Sequence, residues 1–291
     1  ITVEGEDDLP ALSNDSGRVI EDDAANNVAA GVIVFTDVDD GESADGAVNF
    51  VEQNIEGVYG HFTLDNGGNW TYILDNIDPD TDALNAGQEV TDEFTVAATN
   101  GATSTVIVTV TGSNDVPVID GSDNNVSASI DEDTALANVL PLATDVDSLG
   151  RIVGYVQRGD LIYVSDDSTA PGELIFYSDG TYLFDPRGSY DYLAEGETTQ
   201  VEFNFAAVDN ESGVSNEQTV TITIVGVDDL PVISADTVNI TEDDTNPAAT
   251  GQLTAADPDD DGADLSFIPV TLDGDYGTLT LDANGNWEYN L

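Results

Sequence analysis

The sequence contains no cysteine and no lysine; its basic side chains are Arg18, Arg151, Arg158 and Arg187, and His61 is its lone histidine. Without cysteine there is neither a disulfide framework nor a thiolate metal site, and redox compartment cannot be read from pairing. With a single histidine, the ligand set that zinc or copper prefers is missing too. The shortage of positive charge tells more. Against 59 acidic residues it leaves a net charge of -55 over 291 residues. Such a chain repels phosphate backbones and anionic lipid surfaces, which excludes nucleic acid as a partner and direct membrane insertion as a mode of attachment. Cations are its natural partners. Long apolar runs are also absent: stretches such as Val106 to Val110, broken by threonine, are far too short to span a bilayer. No window resembles a signal peptide, so any export signal is expected outside this stretch.

What the chain does have is 40% hydrophobic residues in regular alternation, which separates it from an acidic, solvating tail. Its length allows two or three domains. Internal repeats define them. Gly-x-x-Asp-x-Pro occurs at Gly5 to Pro10, Gly112 to Pro117 and Gly226 to Pro231, a period of about 110 residues. Three further landmarks keep that period. An acidic pair follows each time, Glu21-Asp22, Glu132-Asp133 and Glu242-Asp243. Next comes Asp-x-Asp, at Asp37 and Asp39, Asp145 and Asp147, and Asp257 and Asp259. Last are two glycines and an aromatic: Gly60, Gly68 and Trp70; Gly172, Gly180 and Tyr182; Gly277, Gly285 and Trp287.

Between the landmarks the chain reads as strands. Residues 103–112 and 218–226 alternate apolar residues with threonine at period two, as a strand with one buried face requires, and no segment has helical spacing. Gly67-Gly68, Asp179-Gly180 and Asn284-Gly285 supply the positive backbone angles of tight hairpin turns. Short strands with frequent turns, in units of about 110 residues, predict an all-β chain of antiparallel β-sandwiches in tandem. The third copy stops at Leu291, in the place of Leu74, so its sandwich is expected to be closed by residues from elsewhere.

The first and third copies, with GVYGHFTLDNGGNWTYILDN and GDYGTLTLDANGNWEYNL, resemble the VCBS-type repeat of very large bacterial surface proteins. The second, with GTYLFDPRGSYDYLAEGE and VEFNFAAVDNESG, is similar to the cadherin-like tandem repeat of repeats-in-toxin adhesins. The resemblance divides the chain into a linker from a preceding repeat (1–9), a VCBS-type repeat (10–113), a cadherin-like repeat (114–227) and an incomplete VCBS-type repeat (228–291). It implies immunoglobulin-like or cadherin-like β-sandwich domains arranged end to end, calcium at the joints and a role as the extender of a secreted, cell-surface adhesin, of the kind found in biofilms.

Immunoglobulin-like strand order gives the acidic landmarks a chemistry. The first strand of a sandwich runs down to the acidic pair, and the second runs back up to Asp-x-Asp. One joint then gathers Glu21, Asp22, Asn114, Asp115, Asp145, Asp147 and Asp209. Carboxylates crowded in that way call for a hard cation with six to eight oxygen ligands, which is Ca2+. The next joint repeats the set at higher charge with Glu132, Asp133, Asp228, Asp229, Asp257 and Asp259, and Glu195 and Glu197 stand nearby. An upstream joint has Asp7, Asp8, Asp37 and Asp39 without a lower half, and Asn100 stands where Asp209 does, so weaker binding is expected there. The bland alternative is that Asn, Asp, Gly and Pro are what turns use. The acidic positions recur at the same landmarks, which favours calcium. No joint matches an EF-hand loop.

Trp70 and Trp287 could stack on sugars, but each is followed two residues later by a tyrosine on the same strand face, as core aromatics are. His61 aligns with Glu173 and Thr278 and is assigned no role. Without a nucleophile motif the chain reads as no enzyme. The expected function is reach: a calcium-rigidified stalk whose partners are calcium ions and neighbouring repeats of the same long chain. The alternatives are a subunit of an extracellular filament or sheath, whose incomplete sandwich a neighbour finishes, and a module that binds a cell-surface glycan or protein.

Overall fold

A computed structural model of the chain describes residues 1–4, 11–36, 49–99, 101–120, 126–165, 168–242, 248–259 and 265–291. The described residues form strands and turns with no α-helix, as the alternation requires. By density of contacts the chain divides into two compact units. One is Ile1–Ile119 with Leu142–Gly154 and Ala207–Asn216; the other is Asp120–Pro141 with Tyr155–Ala206 and Glu217–Leu291. Strand pairing stays within 11–111, within 118–225 and within 232–290.

In the first stretch Asp15–Ile20 lies parallel to Thr103–Thr111, which pairs antiparallel with Glu89–Ala97. The facing sheet runs in the order Val28–Val32, Asn69–Leu74, Gly60–Leu64, Gln53–Glu56. Period-two alternation points Phe94, Val96, Val106, Val108 and Val110 from one sheet at Phe62, Leu64, Trp70, Tyr72 and Leu74 from the other, all buried. Phe62 stacks on Phe94 at 4.3 Å between centroids. The polar tips of the core aromatics are met by carboxylates: Trp70 Nε1 donates to Asp15 Oδ2 at 2.8 Å and Tyr72 Oη to Asp92 Oδ2 at 2.8 Å. Trp70 is 1% exposed, so it is a core residue with no face free for a sugar.

The hairpin before Trp70 shows why glycine recurs. Asp65 N bonds to Asn69 O at 2.9 Å, closing a three-residue loop with Gly68 at φ 84°. Gly180 and Gly285 hold the same place at φ 87° and 81°. Asp65 Oδ1 accepts from the amides of Gly67 and Asn69, and Asp282 Oδ1 does the same for Asn284 and Asn286.

The second stretch packs Leu136–Val139, Thr181–Asp185 and Glu173–Phe176 as one sheet. Its other sheet has the order Ser127–Asp131, Gln218–Val225, Thr198–Asp209, Ile152–Tyr163. Tyr182, Phe184, Phe203, Phe205, Ile222 and Ile224 form its core. In the third stretch Ala248–Gln252, Asn286–Asn290, Thr278–Leu281 and Val270–Asp273 make one sheet. There Trp287 and Tyr289 are half-buried, in contrast to Trp70 and Tyr72.

Candidate metal centre

Among the described residues, each unit contains one close cluster of carboxylates, and the two share a plan. In the first, Glu21 follows the strand Asp15–Ile20 and is held by that strand's partner: Glu21 N donates to Thr111 O at 3.0 Å. Its side chain turns onto the connecting segment, where Glu21 Oε2 accepts from Ser113 N at 2.9 Å. Two residues on, Asp115 N donates to Asp147 Oδ2 at 3.1 Å, and Asp147 N donates to Asp145 Oδ1 at 3.1 Å. One oxygen each from Glu21, Asp82 and Asp115 lies within 4.8 Å of the others. Asn114 Nδ2 donates to Asp209 Oδ2 at 3.0 Å, which ties the hairpin after Thr198–Asp209 to the same segment.

The electrostatics are those of a site short of positive charge. Glu21 and Asp147 are 1% and 6% exposed. Burial, opposed by the Ser113 amide and reinforced by Asp115, Asp22 and Asp147, pushes Glu21 up to about 7. Burial with Asp82, Asp22, Asp147 and Asp145 nearby pushes Asp115 up to about 6. Asp147 is raised as well, mainly by burial. Asp209 behaves oppositely: burial pushes it up, but the bonds it accepts from Asn114, Gly213 and Glu211 hold it below the usual carboxylate range. Glu21 Oε1, Asp115 Oδ2, Asp145 Oδ2 and Asp147 Oδ1 are buried with no hydrogen-bond donor. Unpaired buried carboxylate oxygens are costly, and a cation is the remaining way to satisfy them. The arginine ion pairs, Arg18 with Glu89, Arg158 with Glu217, and Arg187 with Glu173 and Asp185, lie elsewhere. Oxygen-only donors in this number fit a hard cation such as Ca2+.

The second cluster repeats the main backbone-to-carboxylate bonds of the first. Glu132 N donates to Val225 O at 3.0 Å, Val227 N donates to Glu132 Oε1 at 2.9 Å, and Asp229 N donates to Asp259 Oδ2 at 2.9 Å. Glu132, Asp229 and Asp259 bring oxygens within 4.8 Å of one another, and Glu132 Oε2, Asp259 Oδ1 and Asp191 Oδ1 are buried without donors. Burial, with Asp229, Asp191 and Asp259 close by, raises Glu132, and burial with Asp133 and Asp191 near raises Asp229.

Of the residues expected from the sequence, Glu21, Asp115, Asp145 and Asp147 converge in one unit, with Asp209 linked through Asn114; Glu132, Asp229, Asp257 and Asp259 converge in the other. Asp22, Asp133 and Asp228 border their clusters with exposed side chains. Glu195 and Glu197 are exposed and supply no atom to the close groups. Asp7, Asp8, Asp37, Asp39 and Asn100 lie outside the described residues. The sequence reading missed Asp82 and Asp191. Both sit in Asp-x-Leu-x-x-Gly, as DALNAG and DYLAEG, two residues before the buried Leu84 and Leu193, and that recurrence was the available signal.

Comparison with known proteins agrees with this architecture. Residues 228–291 match the family model of a bacterial Ig domain. A three-domain fragment of mouse cadherin-23, EC22-24, superposes with a TM-score of 0.50 at 16% identity, over 98% of this chain and 88% of that one. The extracellular domain of protocadherin GammaB4 aligns at 18% identity with a TM-score of 0.48, over 97% of this chain and 43% of that one. The present chain thus spans less than half the length of that protocadherin. Curated proteins yield no match. At such identities the likeness is one of fold: this is an all-β chain of immunoglobulin-like, cadherin-like β-sandwiches, whose last 64 residues match a bacterial Ig domain.

Proposed function

We propose that the chain is a calcium-stiffened extender from the stalk of a secreted bacterial surface adhesin of the VCBS-type and cadherin-like kind, with repeats at 10–113, 114–227 and 228–291. One observation carries the reading: buried carboxylate oxygens without donors gather at equivalent positions of successive repeats, on Glu21, Asp115 and Asp147 in one cluster and on Glu132 and Asp259, beside Asp229, in the other. A bound calcium ion supplies two positive charges and six to eight positions for oxygen. Glu21, Asp82, Asp115, Asp145 and Asp147 would hold it in one cluster, and Glu132, Asp191, Asp229, Asp257 and Asp259 in the other. These residues come from the end of one repeat, the connecting segment and the Asp-x-Asp of the next, so their common ligation fixes each joint. Without it, like charges push the segments apart. Extracellular modules of this sort bind calcium at roughly 10⁻⁴ to 10⁻³ M, which suits a surface location and leaves the metal-free joint loose.

The test is small-angle scattering of the full chain, with calorimetric titration, in calcium and in chelator. Saturable binding accompanied by a change in maximum dimension supports the reading; neither binding nor change overturns it.

A further inference from the structure

The loops of the first cluster are tied by a polar side chain whose aligned position in the second cluster holds an alanine. In the first unit the loop that carries Asp82 also carries Asn85, a polar side chain only 9% exposed. Asn85 Oδ1 accepts from Leu149 N at 2.7 Å, and Asn85 Nδ2 donates to Ser148 Oγ at 2.8 Å. Because the Leu149 amide can only donate, it fixes which end of the Asn85 amide faces it. A third bond, from Ser148 N to Ala83 O at 3.0 Å, closes the clasp. Asn85 is held in turn from its own side, since Gln88 Oε1 accepts from its amide and Gln88 N donates to Asn85 O at 2.9 Å. All these partners are uncharged, so the clasp needs no cation.

Its position gives it a consequence for the acidic cluster. Asp82 lies three residues before Asn85, and Asp147 immediately precedes Ser148. The clasp therefore fixes the Asp82 loop against the Asp147 loop, against the repulsion of their carboxylates. At the second cluster, Leu193 corresponds to Leu84 and Ala194 to Asn85, and a methyl group makes no such bonds.

We propose that Asn85 is a positioning residue that assembles the first cation site in advance, so that the first cluster takes an oxygen-seeking divalent cation more tightly than the second. This rests on the clusters being cation sites. It reverses the order expected from charge alone, under which the second, more acidic set binds better. The physical reason is that a site whose loops are already fixed spends less of its interaction energy on ordering them.

The test uses the full chain and two readouts. In chelator, hydrogen exchange of the Ser148 and Leu149 amides should be slow in the parent and fast in Asn85→Ala. Calcium titration should then resolve a tighter and a weaker class. Asn85→Ala should weaken the tighter class by about tenfold and leave the weaker unchanged, as removal of a preorganising contact does. Ser148→Ala, which removes one bond of the clasp, should weaken the same class by less and serves if Asn85→Ala fails to fold. Equal classes in the parent, or a tighter class indifferent to both substitutions, overturn the proposal while leaving the sites themselves intact. Absence of calcium binding in the parent removes the proposed function and this inference with it, whatever the exchange rates.

Discussion

At the scale of single residues, the acidic clusters make opposite demands in the absence and presence of a cation. Asp82 is the clearest case, since it is the first carboxylate to act on Asp115 and brings an oxygen to the same point as Glu21. Asp82→Asn removes one like charge, so the metal-free protein should gain about 1 kcal/mol or more, the lower figure being the repulsion of two unit charges ~4 Å apart in bulk water. With calcium the same substitution removes a ligand, and the calcium-dependent rise in melting temperature should shrink. A thermal melt in chelator and in calcium reads both signs; destabilisation in chelator would show that Asp82 serves packing and not a charge cluster. Proton linkage has a definite sign as well. Glu21 and Asp115 have folded-state values of about 7 and about 6, above their ordinary 4.5 and 3.8. The folded state therefore binds their protons more tightly, and their favourable contribution is fully present below about pH 4 and is lost as pH rises through 6 to 7. Metal-free protein should thus melt at a higher temperature at pH 5 than at pH 8. Saturating calcium, which needs the ionised carboxylates, should abolish or invert that order. A metal-free melting temperature that rises steadily from pH 5 to pH 8 would count against the clusters as drawn.

At the scale of elements, the turns are the most exacting parts of the sequence. Gly68 has φ 84°, and a Cβ there would come 2.5 Å from the Phe50 ring and 2.6 Å from Ile33 O. Gly68→Ala meets both a backbone penalty and a clash with the core, so it should cost about 2 kcal/mol or more in denaturant unfolding, against a few tenths for an unstrained surface glycine. That position was legible, because the glycine recurs eight residues after another and two before an aromatic. So was the alternation of Thr103–Thr111, which names its buried face residue by residue. The sheet to which a strand attaches was not legible. After Asp-x-Asp, Gln53–Glu56 pairs with Gly60–Leu64, whereas Ile152–Tyr163 lies beside Thr198–Asp209 on the opposite sheet. Partner choice depends on residues distant in sequence, and period two is the same on either sheet. The candidate site divides similarly. Glu21, Asp115 and Asp147 sit at repeat landmarks and could be read. Asp82 and Asp191 lie in loops with no strand periodicity, and only the aligned leucines betray them.

At the scale of the molecule, the net charge of -55 must be separated from the two clusters, because both oppose compactness and a bound divalent cation would relieve both. They differ in range. The repulsion spread over the surface acts across many ångströms and is screened by any salt, since the Debye length falls from ~30 Å at about 0.01 M to ~3 Å at about 1 M. Within each cluster, by contrast, carboxylate oxygens of Glu21, Asp82 and Asp115, or of Glu132, Asp229 and Asp259, lie within 4.8 Å of one another in partly or fully buried places that sodium chloride screens poorly. In chelator, raising sodium chloride across that range should therefore lift the melting temperature gradually and then level off below the value reached in calcium. Calcium at ten times its dissociation constant should add about 1.4 kcal/mol for each site still present at high salt, from the mass-action relation for a ligand that binds only the folded state. Removing one cluster by Asp115→Ala should halve that increment, and pairing it with Asp229→Ala should abolish it. If sodium chloride alone carries the protein to its calcium-bound melting temperature, the acidic composition acts only as a diffuse field, and calcium has no privileged seat in either unit.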